Sequence, residues 1–393
     1  MPLQKRKLGK TGLEASMLGF GCMRLPLLEK DRPEKIDVPE AIRMIRKAVD
    51  AGVNYIDTAY PYHGSDRMKP GQSETVVGQA LADGYRDRVI LATKLPTWAV
   101  ETRADMDRIL DGQLRRLGTD RIDLYLAHNI VAPVWPKVKG LGIFDFFDAA
   151  RRDGRIRHPA FSFHDQYSLF RQVLDEYDWE MCQIQYNYLD TEYQAGRRGL
   201  EDAHRRGLGV VAMEPLRGGF LINNIPPASR AGLRERRPDW SLADWGFRWL
   251  WKQPEVGVAL SGMSAMAQVE ENLRIAAAAG AEAEAFTPED QTALDRVRAL
   301  FAERLEAGCT ACGYCLPCPA GVAIPKIFSL YNEYCLSDAK EVKERARNFY
   351  GMTMTGEEKA ENCAACRSCE DKCPQHIPIA ALMPKAALAL AAG

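Results

Sequence analysis

Rhythm is the strongest constraint on what this chain can fold into. Short apolar, strand-like runs alternate with amphipathic, helix-like ones from residue 16 to residue 277. The strand-like runs are 16–21, 55–59, 89–95, 122–128, 157–163, 181–186, 210–216 and 256–261. Helix-like segments fall at 39–51, 74–82, 103–117, 144–152, 169–176, 198–206, 242–251 and 267–277. In the first helix Ala41, Ile42, Ile45, Ala48 and Val49 make an apolar stripe, with Pro39 near its start and Gly52 after its end. About eight such units predict an α/β fold, a (β/α)8 TIM barrel; an open doubly wound sheet is the alternative that the same pattern allows. Residues 5–20 alternate around Gly9 and Gly12 as a small hairpin would.

A barrel of this kind takes about 250 residues, and the chain has 393. The expected division is a barrel over residues 1–285 and a small helical domain over 286–393. Lys and Arg total 52 against 53 Asp and Glu, a net charge of -1 with no strong run of either sign. That balance argues against a nucleic-acid partner and for small-molecule ligands. The basic stretch 1–10 is not followed by an unbroken apolar segment, and the apolar tail 379–393 is broken by Pro384 and Lys385. No signal peptide or membrane span is expected, and the location expected is cytoplasmic.

In a barrel, the loops after the strands build the site. Asp57 stands at the end of the second strand, Lys94 at the end of the third and His128 at the end of the fourth, with Tyr62 a short loop beyond Asp57. Singly, each has a plain reading as a cap, a solvated strand end or a packed core residue. Together they can move a proton. A tyrosine keeps its proton at neutral pH, a neighbouring ammonium eases its departure, a carboxylate keeps that ammonium charged, and an imidazole can orient a carbonyl oxygen. Such a set suits the reduction of a carbonyl or the oxidation of an alcohol.

These residues lie in Asp57-Thr58-Ala59-x-x-Tyr62, Ser73-Glu74, Ala92-Thr93-Lys94, Asp123-Leu124-Tyr125-Leu126-x-His128, Ser261-Gly262 and Glu271-Asn272. In order and spacing they resemble the aldo-keto reductase superfamily over most of residues 1–285. The resemblance implies that Tyr62 is the general acid, with Asp57, Lys94 and His128 completing a catalytic tetrad. It implies a nicotinamide cofactor, NAD(P)H, lying extended across the barrel mouth. Gly21, Cys22 and Met23 would line its nicotinamide end, Ser162 and Gln183 would hold the carboxamide, and Met213 would lie against the ring. Gly218 and Gly219 would admit the pyrophosphate, and Ser264, Gln268, Glu271 and Asn272 would meet the adenosine. The chain departs from the common pattern with Ser162-Phe163 and Met213, and it has no Lys or Arg between Gly262 and Arg274 to pair with a 2′-phosphate, which argues against an NADP preference. An insertion, 66–72, sits between Tyr62 and Ser73, where it would reshape the substrate entrance or cover Tyr62.

Eight of the eleven cysteines stand in two runs: Cys309, Cys312, Cys315, Cys318-Pro319, then Cys363, Cys366, Cys369, Cys373-Pro374. The second run has the bacterial four-iron ferredoxin spacing; zinc is the plainer alternative for closely spaced thiolates. The tail resembles helical two-cluster ferredoxin modules. That implies two [4Fe-4S] clusters with exchanged ligands, one on Cys309, Cys312, Cys315 and Cys373, the other on Cys363, Cys366, Cys369 and Cys318. Cys22, Cys182 and Cys335 read as buried apolar residues. Because hydride carries two electrons and a cluster takes one, direct coupling needs a flavin or a radical-stabilising substrate between them. Three functions follow: a nicotinamide-linked oxidoreductase, a reductase fed through its clusters by an external electron carrier, or a non-enzymatic redox sensor or partner-binding module.

Overall fold

The computed structural model describes residues 3–29, 32–282, 286–354 and 356–391. They form two compact units, one of Met1–Pro215 with Phe247–Phe286, the other of Leu216–Gly246 with Thr287–Gly393. The second unit thus takes in a segment from within residues 1–285 as well as the cysteine-rich tail.

The first unit holds ten strands: β1 (Lys5–Lys7), β2 (Glu14–Ser16), β3 (Leu18–Gly21), β4 (Tyr55–Asp57), β5 (Ile90–Pro96), β6 (Ile122–Ile130), β7 (Ile156–Phe163), β8 (Met181–Gln185), β9 (Gly209–Met213) and β10 (Val258–Gly262). β1 and β2 make an antiparallel hairpin. β3 to β10 close in sequence order into a parallel barrel, β10 pairing with both β9 and β3. Closure excludes the open sheet. The helices that return the chain between strands bury one face each: Arg103–Leu117, for instance, starts on a Thr102–Asp105 capping box, ends at left-handed Gly118, and buries Met106, Ile109, Leu110 and Leu117.

Side chains two apart on a strand face the same way, and this periodicity builds both the core and the site. Tyr55, Ile90, Ala92, Leu124, Leu126, Ala160, Met181, Val211, Val258 and Leu260 fill the barrel interior. Gly19 belongs to that layer, since a Cβ there would meet Val258 at 2.7 Å and Tyr55 at 3.0 Å. One step further along the same faces come Asp57, Lys94, His128, Ser162, Gln183 and Met213. The interior packing therefore sets which polar residues reach the C-terminal mouth.

The hairpin closes the opposite end. Gly9, at φ 53°, lies so close to the chain before β9 that a Cβ would come within 2.1 Å of Gly209 N, and Lys10 N donates to Gly207 O at 2.7 Å. The Arg6 guanidinium donates to Val256 O at 2.7 Å and Gln253 O at 2.9 Å, satisfying carbonyls beyond the helix Leu242–Trp251.

In the second unit, Ile324–Leu336, Lys340–Thr353 and Ile379–Leu390 pack around a core of Val322, Ile327, Phe328, Tyr331, Leu382, Met383 and Ala386 that includes Cys315, Cys369 and Cys373. Within 219–238 lies a helix, Pro227–Arg236, whose Arg236 and the following Arg237 meet buried Asp290 at 2.9 and 2.5 Å. Only Leu233 of that helix is buried, so it has no apolar period to announce it. Among the described residues no helix is long and apolar enough to cross a membrane.

Candidate active site and cysteine centre

At the mouth of the barrel, Lys94 Nζ donates to Asp57 Oδ1 at 2.6 Å, to Thr58 O at 2.8 Å and to the Tyr62 hydroxyl at 3.3 Å. Lys94 is 0% exposed and Asp57 1%. Burial pushes both toward their neutral forms, Asp57 up and Lys94 down, and their contact opposes that in each. Tyr62 is buried, and its phenol is held well above its ordinary range, first by burial and then by Asp57 and Glu214, with Arg24 opposing. His128 lies edge-on to Tyr62, ring centroids 6.0 Å apart. Burial, then Lys94, His164 and Arg67, depress it well below the usual histidine range, so its imidazole is neutral. Two buried polar atoms in this group, Asp57 Oδ2 and His128 Nδ1, have no hydrogen-bond partner.

The strand ends are braced from behind. Thr58 and Ser73 share a 2.9 Å hydrogen bond, and Ser73 Oγ also donates to Cys22 O at 3.0 Å. Fully buried Glu74 accepts from Thr93 Oγ1 at 2.7 Å, from Gln113 Nε2 at 2.6 Å and from Arg116 Nε at 2.9 Å, while Gln113 reaches Lys94 O at 3.0 Å. Beside Tyr62, buried His63 sits at φ 60° and accepts from Leu25 N through Nε2 at 3.1 Å. Its Nδ1 lies 2.9 Å from Pro33 O, so Nδ1 carries the proton and donates.

The expected nicotinamide contacts fall into four groups. Gly21 ends β3 and Cys22 and Met23 follow it directly, with Cys22 buried against the fields of Asp57 and Lys94. Ser162 Oγ accepts from Asn129 N at 2.9 Å, and Gln183 Nε2 points at Met213 Sδ, 3.7 Å away, leaving buried Gln183 Oε1 without a partner. An orphaned amide oxygen beside a serine is a fitting place for a carboxamide. Ser264 N is capped by Gln268 Oε1 at 2.8 Å, Glu271 is half-buried, and buried Asn272 donates to Ser261 Oγ at 3.1 Å, so its amide is engaged inside the protein. Gly218 and Gly219 belong to the second unit.

Several residues at the mouth are not announced by the sequence: Arg24, paired with Glu214 at 3.9 Å, His63, and Arg67 with Trp98. Position alone signals them, since each falls within two loops of a strand end.

Among the described residues, none of the eight cysteines of the two runs is joined in a disulfide. The fields acting on Cys315 include those of Cys312, Cys309 and Cys373, and those acting on Cys369 include Cys318 and Cys363. Cys373 thus stands near Cys315, and Cys318 near Cys369. The two runs also share a backbone: Ala311 and Ala365 are left-handed at φ 53° and 52°, Gly313 and Arg367 at 79° and 61°, and Gly321 and His376 at 76° and 48°. Non-glycine residues at such angles carry strain that persists where surrounding structure fixes the loop around a ligand. Among the described residues no three His, Cys, Asp or Glu are gathered as around a single ion. Cys22 and Cys182 are buried, and Cys335 is half-buried with a hydrogen bond to Tyr331.

Residues 17–291 match the aldo/keto reductase family, and residues 308–377 match the 4Fe-4S dicluster domain. The uncharacterised oxidoreductase YqkF of Bacillus subtilis (strain 168) is 28% identical over 307 residues, 70% of this chain and 91% of that one. Among solved structures, the aldo-keto reductase AKR11C1 from Bacillus halodurans is similar in its holo form (TM-score 0.60, 25% identity) and its apo form (0.56, 27%), each covering 75% of this chain and 96% of that one.

Proposed function

The chain belongs to the aldo/keto reductase family, and on that footing we propose that its barrel reduces a carbonyl, or oxidises the corresponding alcohol, at Tyr62, with a nicotinamide cofactor and two [4Fe-4S] clusters. A bound nicotinamide exchanges hydride with substrate, and an iron–sulfur cluster exchanges single electrons. The observation that carries the reading is the buried chain Asp57–Lys94–Tyr62.

In the reductive direction Tyr62 gives its proton to the carbonyl oxygen. The rise in its pKa guarantees that the proton is present, and it also makes an isolated phenolate costly. Lys94 relieves that cost by donating to the phenol oxygen, and Asp57 keeps Lys94 charged in a buried setting. Neutral His128 can donate to the same carbonyl oxygen and orient it. Ser162 and Gln183 would hold a carboxamide, with Met213 beside them. Cys309, Cys312, Cys315 and Cys373 would hold one cluster, and Cys363, Cys366, Cys369 and Cys318 the other.

Tyr62→Phe tests the reading: carbonyl reduction is lost while iron content and melting temperature stay at the native level. Full activity in that variant refutes the role given to Tyr62.

A second reading, in which electrons enter through the clusters from an external one-electron carrier, is favoured by one observation: Cys366 is exposed whereas Cys315 and Cys373 are buried. Adding NADH or NADPH without substrate separates the two. Bleaching of the cluster absorbance ties nicotinamide to the clusters; turnover without bleaching leaves the clusters outside the cycle.

A further inference from the structure

Where β6 leaves the barrel its register against β7 slips: Ala127 pairs with Phe161 and Ile130 with Phe163, so two residues, His128 and Asn129, oppose the single Ser162. The extra residue makes a β-bulge, which breaks the alternation of faces and re-aims a side chain. Asn129 takes up the left-handed backbone at φ 58°, a conformation that asparagine adopts more readily than most residues. Without the bulge, alternation would turn the residue after His128 away from the barrel mouth. With it, Asn129 N donates to Ser162 Oγ at 2.9 Å, and Asn129 Oδ1 is a buried atom without a hydrogen-bond partner.

Ser162 pairs in register with Gln183 of β8, and the two are 1% and 2% exposed. Gln183 Nε2 faces the Met213 sulfur, so the amide oxygen is the atom left over; the reverse orientation would set oxygen against sulfur. The Ser162 hydroxyl, having accepted from Asn129, keeps its own proton to give. The ends of β6, β7 and β8 therefore offer one donor and two orphaned acceptors. Buried acceptors are seldom left in that state unless a water or a ligand meets them. Phe163, the next residue of β7, contributes nothing polar, because its ring packs on Phe170 with centroids 5.0 Å apart.

A primary carboxamide is the complement of this set, with one carbonyl oxygen to accept and two N–H groups to donate. We propose that Asn129 is a further cofactor-binding residue: Ser162 donates to the oxygen of the nicotinamide carboxamide, Gln183 Oε1 and Asn129 Oδ1 take its two N–H groups, and the site thereby selects for the amide NH2. This rests on the reading of a nicotinamide at the barrel mouth.

The test uses the full chain with its clusters loaded and oxidised, together with oxidised dinucleotides, so that no electrons pass. NAD+ and NADP+ are each compared with the acetylpyridine analogue, in which a methyl group stands where the carboxamide has NH2. Calorimetric titration gives the ratio of the analogue's Kd to the parent's. Two lost hydrogen bonds that leave buried acceptors unmet give a ratio of about 100 or more. Asn129→Gly keeps the left-handed backbone, and with it the N–H bond to Ser162, while removing the amide; it lowers the ratio about tenfold. Asn129→Asp, which puts an acceptor oxygen back at the same reach, restores it. A native ratio near one, or a ratio unmoved by Asn129→Gly, overturns the proposal and leaves the nicotinamide reading standing. Failure of NAD+ and NADP+ alike to bind overturns that reading and the proposal with it.

Discussion

Replacing Lys94 by Met removes the ammonium, keeps a side chain of similar length and turns Asp57 into a buried test charge. Asp57 is 1% exposed; Oδ1 loses its 2.6 Å partner, and Oδ2 has none to begin with. A carboxylate stranded in this way costs about 3–5 kcal/mol, a fall in melting temperature of about 6–20 °C for a unit of this size. The sign of the pH dependence follows. In the variant, burial without a cation raises the folded-state pKa of Asp57 above its unfolded value near ~3.9, so the carboxyl takes up a proton on folding. That contribution is fully present below the unfolded pKa and is lost as pH rises through the folded one. The deficit therefore narrows on acidification, by at most about 1.4 kcal/mol per pH unit. Adding Asp57→Asn removes the stranded charge and recovers most of the loss. Anaerobic thermal melts of the cluster-loaded chain, followed by circular dichroism at about pH 6 and about pH 8, measure all three proteins. A double variant no more stable than Lys94→Met, or a deficit equal at both pH values, refutes the reasoning.

Glu74 is 0% exposed and its partner Arg116 22%, so Arg116→Ala, which strands the deeper charge, costs more than Glu74→Ala, each on the order of 3–5 kcal/mol by urea or thermal denaturation. His63→Phe leaves Leu25 N–H without its acceptor and loses about 1–3 kcal/mol. His63 itself is depressed by burial, so native stability is fully present above about pH 6.5 and declines as pH falls toward the folded-state pKa; in the variant that slope is shallower. Cys315→Ala and Cys373→Ala each remove the same paramagnetic signal and about half of roughly eight irons per chain, whereas Cys318→Ala and Cys369→Ala remove the other signal. A Cys373 variant that behaves like the Cys369 variant disproves the exchange of ligands.

Periodicity made the barrel legible, because each strand and helix follows from a run a few residues long. The meeting of Asp57, Lys94 and His128 at the mouth was legible for the same reason: Lys94 and His128 continue the inward faces of Ala92 and Leu126, and Asp57 that of Tyr55. Contacts that depend on loop conformation were not. Nothing local in Asp66-Arg67-Met68 says that its guanidinium lies on Trp98, and nothing in Tyr62-His63 says that the ring ties down Leu25 and Pro33. The helix Pro227–Arg236 buries only Leu233, so no apolar stripe marks it in the sequence. The cysteine runs show both cases. Their spacing gives the kind of cluster, while the assignment of Cys373 to the first run and Cys318 to the second comes from the resemblance to two-cluster ferredoxin modules, since no local spacing states it.

The seam at the closed end of the barrel has a kinetic meaning. Arg6 finds its carbonyl partners 247 and 250 residues further along the chain, and the partner of Gly9 is also distant, just ahead of β9. The hairpin of β1 and β2 can pair locally as soon as it is made, whereas the contacts of Gly9 wait for residues 207–209 and those of Arg6 for residues 253 and 256, so this seam closes late in folding.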